Sequence, residues 1–267
     1  MTYFGEITSL ADLDCIIKTV QQDPIKINGG KQDAYQYFRG HESDKYKLIA
    51  NISRRIEDLQ NLAIVEEKII KELQCWSKII FATKLFYEPS NMSGFHQNWY
   101  WLSQIQHSGV PTRLLDWTID SRVALFFAVR NYKFHNQDGD LWVLFAKDSF
   151  NIRCLNQQAN DPLSITRDFF ISIPIQWNKN FETNESQRRI LGQQGKFFIR
   201  SITKTNTPLE EDSAYQQLLK RYRIPSTSKK CILQELYDLN YTDCTIYKSS
   251  NVRMTCIKNL LVKKHFL

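Results

Sequence analysis

Arg39 follows two aromatic residues, Tyr37 and Phe38, and precedes Gly40. A guanidinium at a strand's end, beside a residue without a side chain, suits two-point recognition of a phosphate or carboxylate. A second polar group lies in Gln106-His107-Ser108-Gly109-Val110-Pro111-Thr112-Arg113-Leu114-Leu115-Asp116-Trp117-Thr118, a short turn between helices. His, Thr, Arg and Asp packed beside Leu114, Leu115 and Trp117 are costly unless they bond each other or a ligand. Arg113 and Asp116 are spaced to pair, and His107 reads either as a cap or as a functional group. In a third segment, Arg189 to Phe197, Gln193, Gln194 and Gly195 stand just ahead of a strand. Amides donate and accept together, which suits hydroxyls such as those of a ribose. No serine elbow, P-loop, GxGxxG or paired acidic motif competes with these three.

The elements that must position these residues are partly legible. Leu13, Ile16, Ile17 and Val20 share one face of a helix over 10–22, which Asp23-Pro24 stops. Residues 34–39 alternate and are rich in aromatics, so they read as a strand that Gly40 ends. The longest helical pattern covers 58–86, with Leu62, Val65, Ile69, Leu73, Trp76 and Ile80 recurring every three or four residues. A second aromatic helix over 95–107 turns Trp99, Leu102 and Ile105 inward. Asp120-Ser121 precedes a buried helix containing VALFFAV. Strands are expected at 141–146, 169–173, 197–202 and 221–224, and basic helices at 228–239 and 252–265. Helices early and strands late, without βαβ alternation, give an α+β class in which helices cover a mainly antiparallel sheet.

Composition narrows the classes further. The 267 residues include 6 Trp, 12 Tyr and 16 Phe, which excludes a mainly disordered chain. The longest apolar run, Val123 to Val129, is too short to span a bilayer, which needs about 20 residues. The first residues carry acid and no apolar h-region, so a cytoplasmic location is expected. Six cysteines without CxxC spacing read as reduced thiols mostly packed in the core, and five histidines show no ligand spacing, so no metal is expected. Residues 196–267 hold 13 Lys and Arg against 6 Asp and Glu, the whole net charge of +7. That basic quarter, with Lys220-Arg221-Tyr222-Arg223 at its centre, suggests RNA or DNA, or an acidic protein, as a partner.

Taken together, the three segments resemble the FRG domain family, named for a Phe-Arg-Gly motif. That motif stands at Phe38-Arg39-Gly40. The QHxGxPTRLLDWT core stands at 106–118, with Ser108 where the family is usually aromatic, and an AL-x-FA pattern follows at 124–128. The late RxxxQxGxF element is Arg189 to Phe197, and the match spans about residues 30–250. The resemblance implies one FRG-type domain over 1–267, with an N-terminal helical extension (about 1–30) and a basic C-terminal helical part (about 226–267). Motif order is similar to that of ADP-ribosyltransferases, which implies a sheet of that kind, NAD as substrate and transfer of ADP-ribose. By this resemblance Phe38, Arg39, Gly40, Thr112, Arg113, Asp116 and Trp117 bind NAD. Thr112 and Trp117 line the nicotinamide side, with Arg113 and Asp116 bracing that wall. Arg39, His107 and Gln193 or Gln194 take the catalytic roles, and the amides replace the usual glutamate, with Glu182 and Glu185 as more distant acids. Nucleic acid is the expected acceptor. A bacterial toxin or anti-phage effector with a neutralising antitoxin fits by analogy, and a non-catalytic nucleotide or RNA sensor and an NAD glycohydrolase are the alternatives.

Overall fold

The computed structural model describes residues 2–22, 35–82, 94–107, 109–146, 151–152, 168–171 and 185–247. The strand Gly139–Ala146 (β4) is buried along its whole length. A strand without a polar face needs cover on both sides. Leu141, Val143 and Phe145 face one core, while Trp142, Leu144 and Ala146 face the other. Tyr35–His41 (β2) runs antiparallel to it throughout, with Tyr35 opposite Ala146 and His41 opposite Asp140. Leu219–Ile224 (β8) lines the other side of β4, and Gly5–Glu6 (β1) extends that edge in parallel. Beyond β2 come Leu115–Thr118 (β3), Gly195–Ile199 (β7), Phe169–Ile171 (β6) and Asn151–Ile152 (β5). The eight strands of the described residues make one sheet, antiparallel except at its two outermost pairs. The α+β class and the mainly antiparallel sheet agree with the sequence.

Leu10–Gln22 (α1), Ser121–Val129 (α4) and Lys229–Asp238 (α7) pack on the first core. Asp120 caps α4, its side chain accepting from the Arg122 and Val123 N–H groups at 2.9 and 3.3 Å. Such a cap contributes about 1 kcal/mol. Val123, Leu125, Phe126 and Val129 of α4 are all buried, and each large apolar side chain contributes about 1.5–3 kcal/mol. Packing therefore holds α4, and the cap sets where it starts. A Cβ on Gly40 would come within 1.9 Å of the Ala124 carbonyl, so α4 lies directly on β2. Leu59–Ala82 (α2), Gly94–His107 (α3), Glu185–Gly192 (α5), Ser213–Gln216 (α6) and Asp243–Tyr247 (α8) complete the α-helices of the described residues.

The sequence reading differs from the structure at several points. Gly40 does not end β2; the strand continues to His41, because β4 pairs with it that far. The expected turn through Thr112–Thr118 closes into β3, held by β7 with Asp116 opposite Phe197. The first residues are no appendage: β1 belongs to the sheet, and Leu10, Leu13 and Val20 enter the core. Cys15, Cys75, Cys231 and Cys244 are exposed, since each sits on an outward helix face, contrary to the expected core placement. The helix expected over 252–265 lies outside the described residues. No helix among the described residues is long and apolar enough to cross a membrane.

Among the described residues, several cations of the basic quarter are bound within the molecule, and the last ones, from 248 on, lie outside the described residues. Arg221 binds Asp140 Oδ2 through Nε at 2.9 Å and Nη2 at 2.7 Å. Arg223 binds Asp138 through Nε and Nη2 at 2.8 and 2.6 Å, and Glu6 through Nη1 at 2.7 Å. Tyr222 is a core residue, so it offers no stacking platform. Arg200 is buried against Asp168 and Asp212, and Lys229 is fully buried, donating to the carbonyls of Glu42 and Phe134. Charge counted along the sequence is not charge presented at the surface.

Candidate functional site

The cavity that matters opens where the sheet's ladder fails. β2 pairs fully with β4 but meets β3 only at Phe38 opposite Thr118. On the His41 side of that pair the two strands are no longer bridged by the ladder. Arg39 crosses the opening instead, its Nη1 donating to the Asp116 carbonyl. The resulting cavity holds about 330 Å³, within the range of small-molecule sites. Its wall takes Phe38 to Glu42 from β2 and its end, Asp116 to Thr118 from β3, and Gln106 from α3. Ala124 and Phe127 of α4, Arg189 of α5, Gln193, and Tyr247 of α8 close it, with Tyr46 and Arg54 on a further side.

Three guanidiniums face two carboxylates here: Arg39, Arg54 and Arg189 against Glu42 and Asp116. Burial pushes the Arg39 pKa down, Asp116 raises it, and nearby Arg54 lowers it further. A buried guanidinium beside a like charge is eased by an anionic ligand. Arg54 donates to the Lys47 carbonyl at 3.2 Å and lies over the Tyr46 ring. Arg189 lies over the Tyr247 ring, 4.7 Å from its centroid, and Arg130 is equally close to the same ring. Trp117 also lines the cavity, and its buried indole Nε1 has no hydrogen-bond partner.

The residues expected at the site divide. Phe38, Arg39, Gly40, Asp116, Trp117 and Gln193 come together around the cavity. Gln193 is held there by its backbone, whose carbonyl accepts from the Thr118 hydroxyl at 2.7 Å. Gln194 turns away: its backbone is left-handed at φ 46°, and its Nε2 donates to Asp120 Oδ2 at 3.1 Å. Thr112 is fully buried and does not line the cavity, so it cannot flank a nicotinamide. It acts one step back, donating to Gln106 Oε1 at 2.5 Å, while Gln106 Nε2 donates to Asp116 Oδ2 at 2.9 Å. Arg113 does not pair with Asp116. Its Nε donates to Glu66 Oε2 of α2 at 2.6 Å, and both side chains are buried. Asp116 lies on the exposed side of β3, where that guanidinium cannot reach it. The side chains of His107 and Glu185, and Glu182 and Ser108 as a whole, lie outside the described residues.

The motifs did not single out His41, Glu42, Tyr46, Arg54 or Tyr247. His41, next to Phe38-Arg39-Gly40, had an adjacent signal; Tyr247, more than 200 residues away, had none. Among the described residues no group of His, Cys, Asp and Glu is placed to hold a metal ion.

Residues 34–137 match the FRG domain. The similarity to that domain covers less than half of the chain. The matched segment supplies β2, α2, α3, β3 and α4, and with them Arg39, Arg54, Gln106 and Asp116. Arg189, Gln193 and Tyr247 lie beyond it, so the FRG segment alone does not close the cavity. No curated protein and no solved structure matches the chain.

Proposed function

We propose that the cavity between β2 and β3 binds NAD and that the protein transfers ADP-ribose from it to an acceptor. The observation that supports this reading best is convergence. Arg39, Asp116–Trp117 and Gln193, from three separate motifs, line one cavity with the guanidiniums of Arg54 and Arg189. Guanidiniums suit the diphosphate, the Gln193 amide suits ribose hydroxyls, and Trp117 and Phe127 offer apolar surface to a nicotinamide. Departure of nicotinamide leaves an oxocarbenium-like centre, which a carboxylate stabilises by charge. The late motif has no acid, but Asp116 and Glu42 bring carboxylates to the same cavity from other elements.

The acceptor proposed is nucleic acid. With Arg221, Arg223 and Lys229 engaged internally, exposed Arg54 at the cavity and its neighbour Arg55 are the cations to carry it. The test is to incubate the protein with NAD and follow nicotinamide release, with RNA, DNA and protein offered in parallel. Label on a macromolecule supports transfer, and free ADP-ribose alone points to a glycohydrolase. Binding without nicotinamide release favours a nucleotide sensor, the reading that an amide in place of the late glutamate supports. An ammonium does not replace a two-point guanidinium, so Arg39→Lys is expected to abolish nicotinamide release while folding is retained.

A further inference from the structure

Behind Arg39 lies a buried chain of polar groups that crosses three strands. Arg39 Nε donates to His41 Nε2 at 3.1 Å. Arginine has no acceptor, so His41 Nε2 carries a lone pair and the ring proton sits on Nδ1. That Nδ1 lies 3.1 Å from Asp140 Oδ1, and Asp140 Oδ2 takes the two hydrogen bonds from Arg221. His41 is 4% exposed and Asp140 0%. The strand register makes the chain possible: His41 of β2 faces Asp140 of β4, which lies beside β8.

We infer that His41 is a positioning residue for the cavity, holding the Arg39 guanidinium so that its remaining N–H groups meet a diphosphate ligand. This rests on the proposed NAD reading. Arginine has five N–H donors, and His41 and the Asp116 carbonyl take two of them. A long side chain held at two points loses less freedom when it binds, and preorganisation of that kind raises affinity. Only neutral His41 can act so, because a second ring proton would stand against the Arg39 N–H. The influences around it oppose one another, and the net direction is downward. Burial lowers its pKa, Asp140 raises it, and Arg39 and Arg54 lower it; the Tyr46 ring lies edge-on to it, Arg221 binds the far oxygen of Asp140, and Lys229 donates to the Glu42 carbonyl next in the chain. His41 is therefore neutral at neutral pH, and the hold on Arg39 is lost on acidification below the ordinary histidine value of 6.5.

The experiment has two arms. Nitrogen NMR of the full chain, with His41 assigned by its loss in His41→Asn, reads where the proton sits. The expected state is neutral, protonated on Nδ1; a proton on Nε2, or an imidazolium at neutral pH, overturns the inference. Calorimetric binding of ADP is then compared for wild type, His41→Leu and His41→Asn. Leucine removes the acceptor and is expected to lose about tenfold in affinity, the worth of one charge-assisted hydrogen bond. Asparagine restores an acceptor and is expected to recover most of that loss, a rescue that a purely packing role does not give. Equal affinity in a folded His41→Leu variant overturns the inference. If wild type binds no ADP, the NAD reading fails and the ligand half of this inference fails with it, while the NMR arm still decides the contact between His41 and Arg39.

Discussion

Arg113 and Asp116 stand three positions apart and serve different partners, which fixes what each substitution does. Arg113 and Glu66 form an ion pair with both side chains buried. Removing one partner leaves an uncompensated charge, so Glu66→Ala is expected to cost about 3–5 kcal/mol. The double variant Arg113→Met with Glu66→Leu is expected to regain most of it, because hydrophobic replacement of both ions is often close to neutral. Urea unfolding of the three proteins measures this, and a double variant no better than the single one refutes it. At this scale the sequence pointed to Arg39 and Asp116, which line the cavity, because chemistry-bearing residues beside turns and apolar neighbours are conspicuous. It misplaced Thr112 and Arg113, since a polar residue in such a segment either meets a ligand or serves as an internal clasp, and local spacing is the same for both. It missed Arg54 and Tyr247, whose arrival at the cavity depends on tertiary packing alone.

Between elements, the glycines of the two motifs have opposite meanings. Gly40 lets α4 lie on β2, and a methyl there meets the Ala124 backbone, which cannot move aside. Gly40→Ala is expected to destabilise by at least the ~1–3 kcal/mol of an overpacked core, and to lower the melting temperature. At Gly195 an added Cβ finds nothing nearer than 3.8 Å, so Gly195→Ala is expected to be neutral or stabilising by up to about 1 kcal/mol. Equal losses at both sites refute the distinction. Gly40 lines the cavity and also makes room for α4, so its missing side chain serves contact between elements as well. Helix α1 was read with its ends, because its apolar face repeats every three or four residues and Asp23-Pro24 follows. Strand β3 was not, because it has only four residues and an exposed Asp116 within it. It is a strand by virtue of β7, nearly 80 residues further on.

Across the whole molecule, the net charge of +7 was assigned to a surface, and Arg221 and Arg223 of the basic quarter belong to ion pairs within the sheet. Arg221→Ser is therefore expected to behave as a stability variant, leaving Asp140 buried without its guanidinium at a cost of about 3–5 kcal/mol. Arg223, whose side chain is 40% exposed in its pair with Asp138, is expected to cost well under that. Denaturant melts read the difference, and a fully stable Arg221→Ser refutes it. The sequence contained those arginines but not the register that sets Asp140 opposite Arg223 and next to Arg221, so a surface and an interior network looked alike. The same sheet has a mechanical consequence. Strands β1, β8, β4 and β2 form one panel and β3, β7, β6 and β5 another, stitched at Phe38–Thr118 and by the side chain of Arg39. A seam with so few stitches is where the sheet is expected to open first. Backbone amides on the β2-facing edge of β3 are expected to exchange with solvent sooner than those joining β2 to β4. A ligand bridging the two panels then acts as a splint, and its arrival is readable as slowed exchange along that one edge.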